Sequence, residues 1–131
     1  MATTNFGMIG LGRMGANIVR RLALHNITSA VYDVSPDAVK TLAAEGAIGA
    51  TDMASLAASL STPRTIWIMV PAAVTDSTIA ALADHLSPGD TIIDGGNSYY
   101  KNDLKNAELL KAKGINFVDI GTSGGVYGLE R

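Results

Sequence analysis

A glycine-rich turn between two short apolar runs is the feature that most constrains this chain. The run Phe6–Ile9 leads directly into the sequence GLGRMG at residues 10–15, and a helical pattern follows. A second apolar run, Ser29–Tyr32, ends at Asp33. The order of strand, glycine turn, helix, strand and acid is typical of a βαβ unit that binds a dinucleotide.

Each glycine of the turn has its own physical reason. Gly10 permits the tight turn out of the strand, Gly12 lets a pyrophosphate approach the backbone, and Gly15 lets the helix pack closely. The N–H groups and the positive dipole end of the helix then face the phosphates. We therefore predict dinucleotide binding, and the alternative is a glycine-rich turn in a doubly wound protein that holds no ligand.

Asp33 is predicted to select the cofactor. It lies eighteen positions after Gly15, where a carboxylate can accept hydrogen bonds from a ribose 2′-OH but repels a 2′-phosphate. NADP sites usually place an arginine nearby, whereas the next basic residue here is Lys40. We predict NAD over NADP, and the alternative for Asp33 is a loop or helix-capping carboxylate.

The rest of the chain alternates predicted strands and helices. Strands are expected over residues 28–33, 47–50, 65–70, 91–94 and 115–120, and helices over residues 13–25, 36–45, 52–60, 75–85 and 102–113. In the first helix we expect a buried stripe of Met14, Ile18 and Leu22, and in the third a cap from Thr51. The pattern predicts one α/β domain over residues 1–131, a Rossmann-type doubly wound, mostly parallel sheet of about six strands in the order 3-2-1-4-5-6.

Composition excludes several classes of protein. The 131 residues carry a net charge of −2 and contain no cysteine, so disulfides and thiolate metal sites are excluded and no metal is expected. No basic stripe suggests nucleic acid, and no apolar run approaches the roughly 20 residues of a membrane span. The N-terminus lacks the pattern of a signal peptide, so a cytoplasmic protein is expected.

Three further motifs follow the predicted strands four, five and six. They are Val70-Pro71-Ala72, the sequence DGGNS at residues 94–98, and Ser123-Gly124-Gly125. Together with the glycine turn they closely resemble the N-terminal domain of the 6-phosphogluconate dehydrogenases, which belong to the β-hydroxyacid dehydrogenase superfamily. The resemblance covers essentially the whole chain, and DGGNS is its most specific part.

The resemblance implies a reaction and a set of contacts. The reaction is the oxidative decarboxylation of 6-phosphogluconate to ribulose 5-phosphate, with hydride transfer to NAD. The implied cofactor contacts are Gly10, Leu11, Gly12, Arg13, Met14, Gly15, Asp33, Val70, Pro71, Ala72 and Asn97. The implied substrate contacts are Asn97, Ser123, Gly124 and Gly125.

Two departures from the long-chain NADP enzymes favour the shorter, NAD-preferring branch. Asp33-Val34-Ser35 stands where many of them have Asn-Arg-Thr, and the sequence VYGL at residues 126–129 stands where they continue with acidic residues. Pro71 also replaces a lysine that is common in the NADP enzymes. The family's catalytic lysine belongs to sequence beyond Arg131, so we expect no catalytic residue in this chain and no turnover by the fragment. A C-terminal helical domain for catalysis and dimerisation is expected outside the chain, in a homo-oligomeric enzyme that acts on a small sugar-acid phosphate.

Two other functions remain open. One is the cofactor domain of a different β-hydroxyacid dehydrogenase, of the hydroxyisobutyrate or tartronate semialdehyde type. The other is a non-catalytic domain that senses NAD. The asparagine of DGGNS argues against the first, and the Ser-Gly-Gly loop after the sixth strand argues against the second.

Overall fold

The computed structural model describes residues 4–70, 72–95 and 107–119. In these residues six strands form one sheet, in the order β3-β2-β1-β4-β5-β6, and every neighbouring pair is parallel. The strands are β1 (Phe6–Ile9), β2 (Ala30–Tyr32), β3 (Ile48–Gly49), β4 (Thr65–Ile68), β5 (Thr91–Asp94) and β6 (Asn116–Asp119). The helices are α1 (Arg13–Leu24), α2 (Pro36–Ala44), α3 (Met53–Ala58) and α4 (Ala72–Ala83), and residues 107–112 are also helical. The predicted fold class and strand order are confirmed.

Apolar side chains cover both faces of the sheet, as the nearly continuous apolar run of β4 predicts. Ile66 and Ile68 are fully buried in one cluster, which also contains Ile79 and Leu82 of α4. Trp67, between the two isoleucines, packs against a second cluster with residues of α1 and α2. The alternation along β4 therefore places one layer of core on each face.

The strand order creates a crevice beside β1. From β1 the chain crosses to β2 on one side, and the later strand β4 pairs with β1 on the other side. In the register, Ile9 lies opposite Tyr32 of β2 and opposite Ile68 of β4. The residues after these three strands therefore meet at the carboxyl edge of the sheet, where ligands bind in open α/β folds.

The buried face of α1 differs from the predicted stripe. Met14 is 42% exposed, the other two predicted members are half-buried, and the buried residues are Gly15, Ala16 and Val19. A Cβ built on Gly15 would lie 2.0 Å from the Gly10 carbonyl oxygen. Because α1 approaches the turn this closely, small residues face the sheet and the larger ones flank them.

Two helix starts also differ from the predictions. The cap of α3 is Asp52 and not Thr51: the Asp52 Oδ1 accepts the Ser55 N–H at 2.7 Å, and the Ser55 Oγ accepts the Asp52 N–H at 3.1 Å. The Ser55 N–H holds the pKa of the Asp52 carboxyl below its ordinary value. Helix α4 begins at Ala72, three residues before the predicted start at residue 75.

A buried ion pair fastens the amino edge of the sheet. Arg64 and Asp90 directly precede β4 and β5, and their side chains are 11% and 1% exposed. The Asp90 carboxylate accepts the Arg64 Nε–H at 2.9 Å, the Arg64 main-chain N–H at 2.7 Å and the Ser87 N–H at 2.8 Å. The guanidinium also donates to the Ala57 carbonyl of α3 at 3.1 Å. The pair thus joins two strands, a helix and a loop.

Candidate functional site

The glycine turn begins with a residue that only glycine can fill. Gly10 has φ +96°, and a Cβ built on it would lie 2.4 Å from the Met69 carbonyl oxygen. Its N–H donates to the Tyr32 carbonyl at 3.0 Å. The turn therefore starts in close contact with the ends of both β2 and β4, as predicted for Gly10.

Gly12 stands beside open space at the start of α1. It is the N-cap residue, with φ −64° and ψ −175°, and no atom lies within 4 Å of the position a Cβ would take. Within the described residues, the N–H groups of Gly12, Arg13 and Met14 have no hydrogen-bond partner. A helix start with free donors and no side chain in the way fits a pyrophosphate.

Leu11 plays a different part from its neighbours in the turn. It is 7% exposed, and its side chain belongs to the core cluster that includes residues of α1 and α2. Its N–H donates to the Asp33 Oδ2 at 2.5 Å. Arg13 and Met14, in contrast, are exposed. The donors available to a phosphate therefore come from the residues after Leu11.

Asp33 is half-buried at the end of β2 and has two main-chain donors. Besides the Leu11 N–H on Oδ2, its Oδ1 accepts the Ser35 N–H at 2.8 Å. Ser35 is the N-cap residue of α2, but its side chain makes no capping hydrogen bond. A carboxylate offers about four acceptor positions, so two remain for hydroxyl groups. The geometry allows Asp33 to be both a loop carboxylate and a ribose ligand.

The segment after β4 borders the glycine turn. The Met69 N–H donates to the Ile9 carbonyl at 2.8 Å, and the Val70 Cγ1 lies 3.2 Å from the position of a Cβ on Gly10. Ala72 is the first residue of α4. Pro71, Asn97 and the loop Ser123–Gly125 lie outside the described residues, so their implied contacts stay predictions.

Gly95 has a role that the sequence analysis missed. Its N–H donates to the Ile68 carbonyl at 3.0 Å, and a Cβ there would lie 2.0 Å from the Trp67 Nε1 and 2.6 Å from the Met69 Sδ. The chain can leave β5 over these two side chains only because residue 95 is glycine. The sequence shows a glycine pair that ends the strand, but a contact with a side chain of β4 has no sequence signal.

The described residues include no group of three or more His, Cys, Asp or Glu side chains that could hold a metal ion. In the same part of the chain, no helix combines the length and the apolar character needed to cross a membrane. The lysines within the described residues, Lys40, Lys111 and Lys113, are all exposed.

Known proteins resemble this chain along nearly its whole length. The family model described as the NAD binding domain of 6-phosphogluconate dehydrogenase matches residues 5–131. The NAD(+)-dependent, decarboxylating 6-phosphogluconate dehydrogenase of Haloferax volcanii is 40% identical over 127 residues, which cover 95% of this chain and 41% of that protein. The decarboxylating enzyme of Chlamydia pneumoniae is 38% identical over 131 residues, which cover 95% of this chain and 27% of that protein.

A solved structure agrees with these relatives. The 6-phosphogluconate dehydrogenase of Plasmodium falciparum, described as apo, with its cofactor NADP+ and with its substrate 6-phosphogluconate, is 27% identical with a TM-score of 0.83. The match covers 95% of this chain and 28% of that one. The chain thus spans less than half the length of each of these relatives. With an open glycine turn beside Asp33 and a family model that matches residues 5–131, the chain belongs to the family of the NAD-binding domain of 6-phosphogluconate dehydrogenase.

Proposed function

We propose that this chain is the NAD-binding domain of a 6-phosphogluconate dehydrogenase, which oxidises and decarboxylates 6-phosphogluconate to ribulose 5-phosphate. The observation that carries the proposal is the open N-terminus of α1 beside a fixed carboxylate at the end of β2. Gly12 and the first turn of α1 would hold the pyrophosphate, and Asp33 would bind the adenosine ribose. Val70 would lie along the cofactor.

The proposed cofactor is NAD rather than NADP. Asp33 places a negative charge where a 2′-phosphate would have to fit, and the residues beside it, Val34 and Ser35, are exposed and carry no positive charge. The relative from Haloferax volcanii is named as NAD(+)-dependent, which supports the choice. The Plasmodium falciparum structure is described with NADP+, so the family includes both preferences.

The described residues supply binding and orientation but offer no general base. When bound, the nicotinamide accepts a hydride. A base must reach the proton it removes, and the three described lysines are exposed: Lys40 lies in α2, Lys111 lies in the helical residues 107–112, and Lys113 follows them with its Nζ 3.7 Å from the Asp84 Oδ1. Because the family resemblance implies a catalytic lysine beyond Arg131, we assign proton transfer to groups outside residues 1–131. Asn97 and Ser123–Gly125 are the proposed substrate contacts within the chain.

A calorimetric titration of the 131-residue chain with NAD and then with NADP tests the proposal. We expect NAD to bind at least about tenfold more tightly, which corresponds to 1.4 kcal/mol. Equal affinity, or tighter binding of NADP, would contradict the proposed choice of cofactor. Binding of neither would contradict the assignment of this site.

A second measurement tests whether this chain alone can carry out the reaction. We expect the chain with 6-phosphogluconate and NAD to produce no NADH, because the base is assigned to groups outside it. Steady NADH production would show that the chain contains a base. A panel with 3-hydroxyisobutyrate and with glycerate, which is oxidised to tartronate semialdehyde, given to an enzyme that contains this chain, separates the proposed substrate from those of the related dehydrogenases.

A further inference from the structure

Asp33 has a second set of contacts that a ribose ligand does not need. Its two oxygens accept main-chain N–H groups from two different loops, Leu11 in the glycine turn and Ser35 before α2. Leu11 and Asp33 are 22 positions apart in sequence. The carboxylate therefore links the turn after β1 to the turn after β2.

The two donors differ in what they would lose without Asp33. Ser35 is exposed, so its N–H can turn to water. Leu11 is 7% exposed, its side chain belongs to the core, and its bond to Asp33 is part-buried, so its N–H is less accessible to water than that of Ser35. A buried donor left without an acceptor costs more than a typical hydrogen bond contributes. Of the two bonds that Asp33 accepts, the one from Leu11 therefore contributes more to holding the turn in place, beside the bond from the Gly10 N–H to the Tyr32 carbonyl.

We propose that Asp33 is a positioning residue that braces the glycine turn through the Leu11 N–H, in addition to any contact with the ribose. The brace keeps the free donors of Gly12 and Arg13 directed at one place, whichever dinucleotide binds. The brace also fixes the carboxylate, because rotation of the Asp33 side chain away from a 2′-phosphate would break its hydrogen bond with the Leu11 N–H. The site then discriminates against NADP because the Asp33 carboxylate cannot move out of the way of the 2′-phosphate. The ligand part of this inference rests on the proposed function, whereas the brace itself does not.

Two substitutions of Asp33 separate the brace from the charge. Asp33→Ala removes both. Asp33→Asn removes the charge but keeps one oxygen acceptor, which can face Leu11 while the exposed Ser35 N–H turns to water. Asp37→Asn is the matched control, since Asp37 is an exposed carboxylate in the first turn of α2 and carries the same charge without a contact to the turn.

Amide hydrogen exchange of Leu11 in the ligand-free chain measures the brace without any cofactor. We expect exchange at least about tenfold faster in Asp33→Ala than in the unsubstituted chain. Asp33→Asn should stay closer to the unsubstituted chain than to Asp33→Ala, and Asp37→Asn should match it. Unchanged Leu11 exchange in a folded Asp33→Ala chain would overturn the brace, even if the cofactor proposal holds. Loss of protection along the central strands of Asp33→Ala would mean that this variant is unfolded, and the comparison then rests on Asp33→Asn. Leu11 protection in Asp33→Asn close to that of the unsubstituted chain would support the brace, and loss of that protection would overturn the brace.

Calorimetric titrations of the same variants test the consequence for binding. A brace predicts that Asp33→Ala weakens NADP as well as NAD, and that Asp33→Asn binds NADP more tightly than Asp33→Ala does. A residue that acts only as a ribose ligand would leave NADP affinity unchanged or raised in Asp33→Ala, and that result would overturn the proposal. If the unsubstituted chain binds neither cofactor, the proposed function fails, while the exchange of Leu11 still decides the brace.

Discussion

Alanine substitutions at Gly12 and Gly15 should separate cofactor binding from stability within one turn. The two glycines are three positions apart, yet their surroundings are opposite. A Cβ on Gly12 would meet no atom within 4 Å, whereas a Cβ on Gly15 would lie 2.0 Å from the Gly10 carbonyl oxygen. Gly12→Ala should therefore fold and bind poorly, and Gly15→Ala should fold poorly.

The magnitudes follow from these distances. An ordinary contact begins at 3.4 Å, so α1 or the turn must shift by more than about 1 Å to accept Gly15→Ala. Overpacking costs about 1–3 kcal/mol, here at the upper end because the neighbour is backbone, and alanine in a helix returns about 0.5–1 kcal/mol. We expect a net loss of about 2 kcal/mol. Gly12 has φ −64°, which alanine adopts freely, so Gly12→Ala should cost less than about 1 kcal/mol.

Urea unfolding and calorimetric titration with NAD, on both variants and the unsubstituted chain, give the comparison. Gly12→Ala should lose at least about tenfold in NAD affinity, because its methyl group fills the space proposed for the pyrophosphate. Refutation would come from either of two results: unchanged NAD affinity in Gly12→Ala, or a Gly15→Ala chain as stable as the unsubstituted one. Unchanged NAD affinity would show that the phosphates do not bind at this turn. Unchanged stability of Gly15→Ala would show that α1 does not pack against the turn as described.

Three further substitutions probe other parts of the fold. Asp90→Ala should lower the free energy of unfolding by about 3–5 kcal/mol, since it leaves a buried guanidinium without its partner; a loss below about 1 kcal/mol in urea unfolding would contradict that ion pair. Gly95→Ala should reduce stability and shift the fluorescence of Trp67, the chain's one tryptophan, because the new methyl group would overlap the indole; an unchanged spectrum and urea midpoint would argue against that contact. The lowered pKa of Asp52 means that its carboxylate stabilises α3 above the unfolded pKa, near pH 4, and that this contribution is lost as pH falls through the folded value. The difference in the free energy of unfolding between the unsubstituted chain and Asp52→Ala should therefore narrow as pH falls below about 4, and a constant difference would be inconsistent with the capping role.

The sequence predicts the sheet well because strands buried on both faces leave a simple pattern. The apolar run of β4 and the glycine turn after β1 both indicate a doubly wound sheet, and this holds for either interpretation of the turn. Strand order follows from the alternation of strands and helices together with the position of the turn. The sequence alone therefore predicts that Gly10, Gly12 and Asp33 lie close together at the carboxyl edge of the sheet.

Features that depend on close packing could not be predicted. The spacing of Met14, Ile18 and Leu22 suggests a buried stripe, but the close approach at Gly15 turns a face of small residues to the sheet. Thr51 and Asp52 are both good caps by type, and only the backbone geometry selects the second.

The hydrogen bonds and ion pairs of charged side chains could not be predicted from the sequence either. Asp90 follows the turn-forming residues Ser87-Pro88-Gly89, and its bond to Arg64 spans 26 positions, so no local pattern indicates it. The bond from the Leu11 N–H to Asp33 is missing from the sequence for the same reason. Periodicity reports which side chains avoid water, but it does not report which polar groups pair across the fold.

The ion pair of Arg64 and Asp90 has a consequence for engineering. It lies at the amino ends of β4 and β5, and the glycine turn with Asp33 lies at the carboxyl edge, a strand of four residues away, or about 13 Å. Effects of substitutions that far apart, with no shared partners, add within a few tenths of a kcal/mol. A library that alters cofactor choice around Asp33 could therefore be built on a background strengthened at the opposite edge, with the two changes selected one after the other.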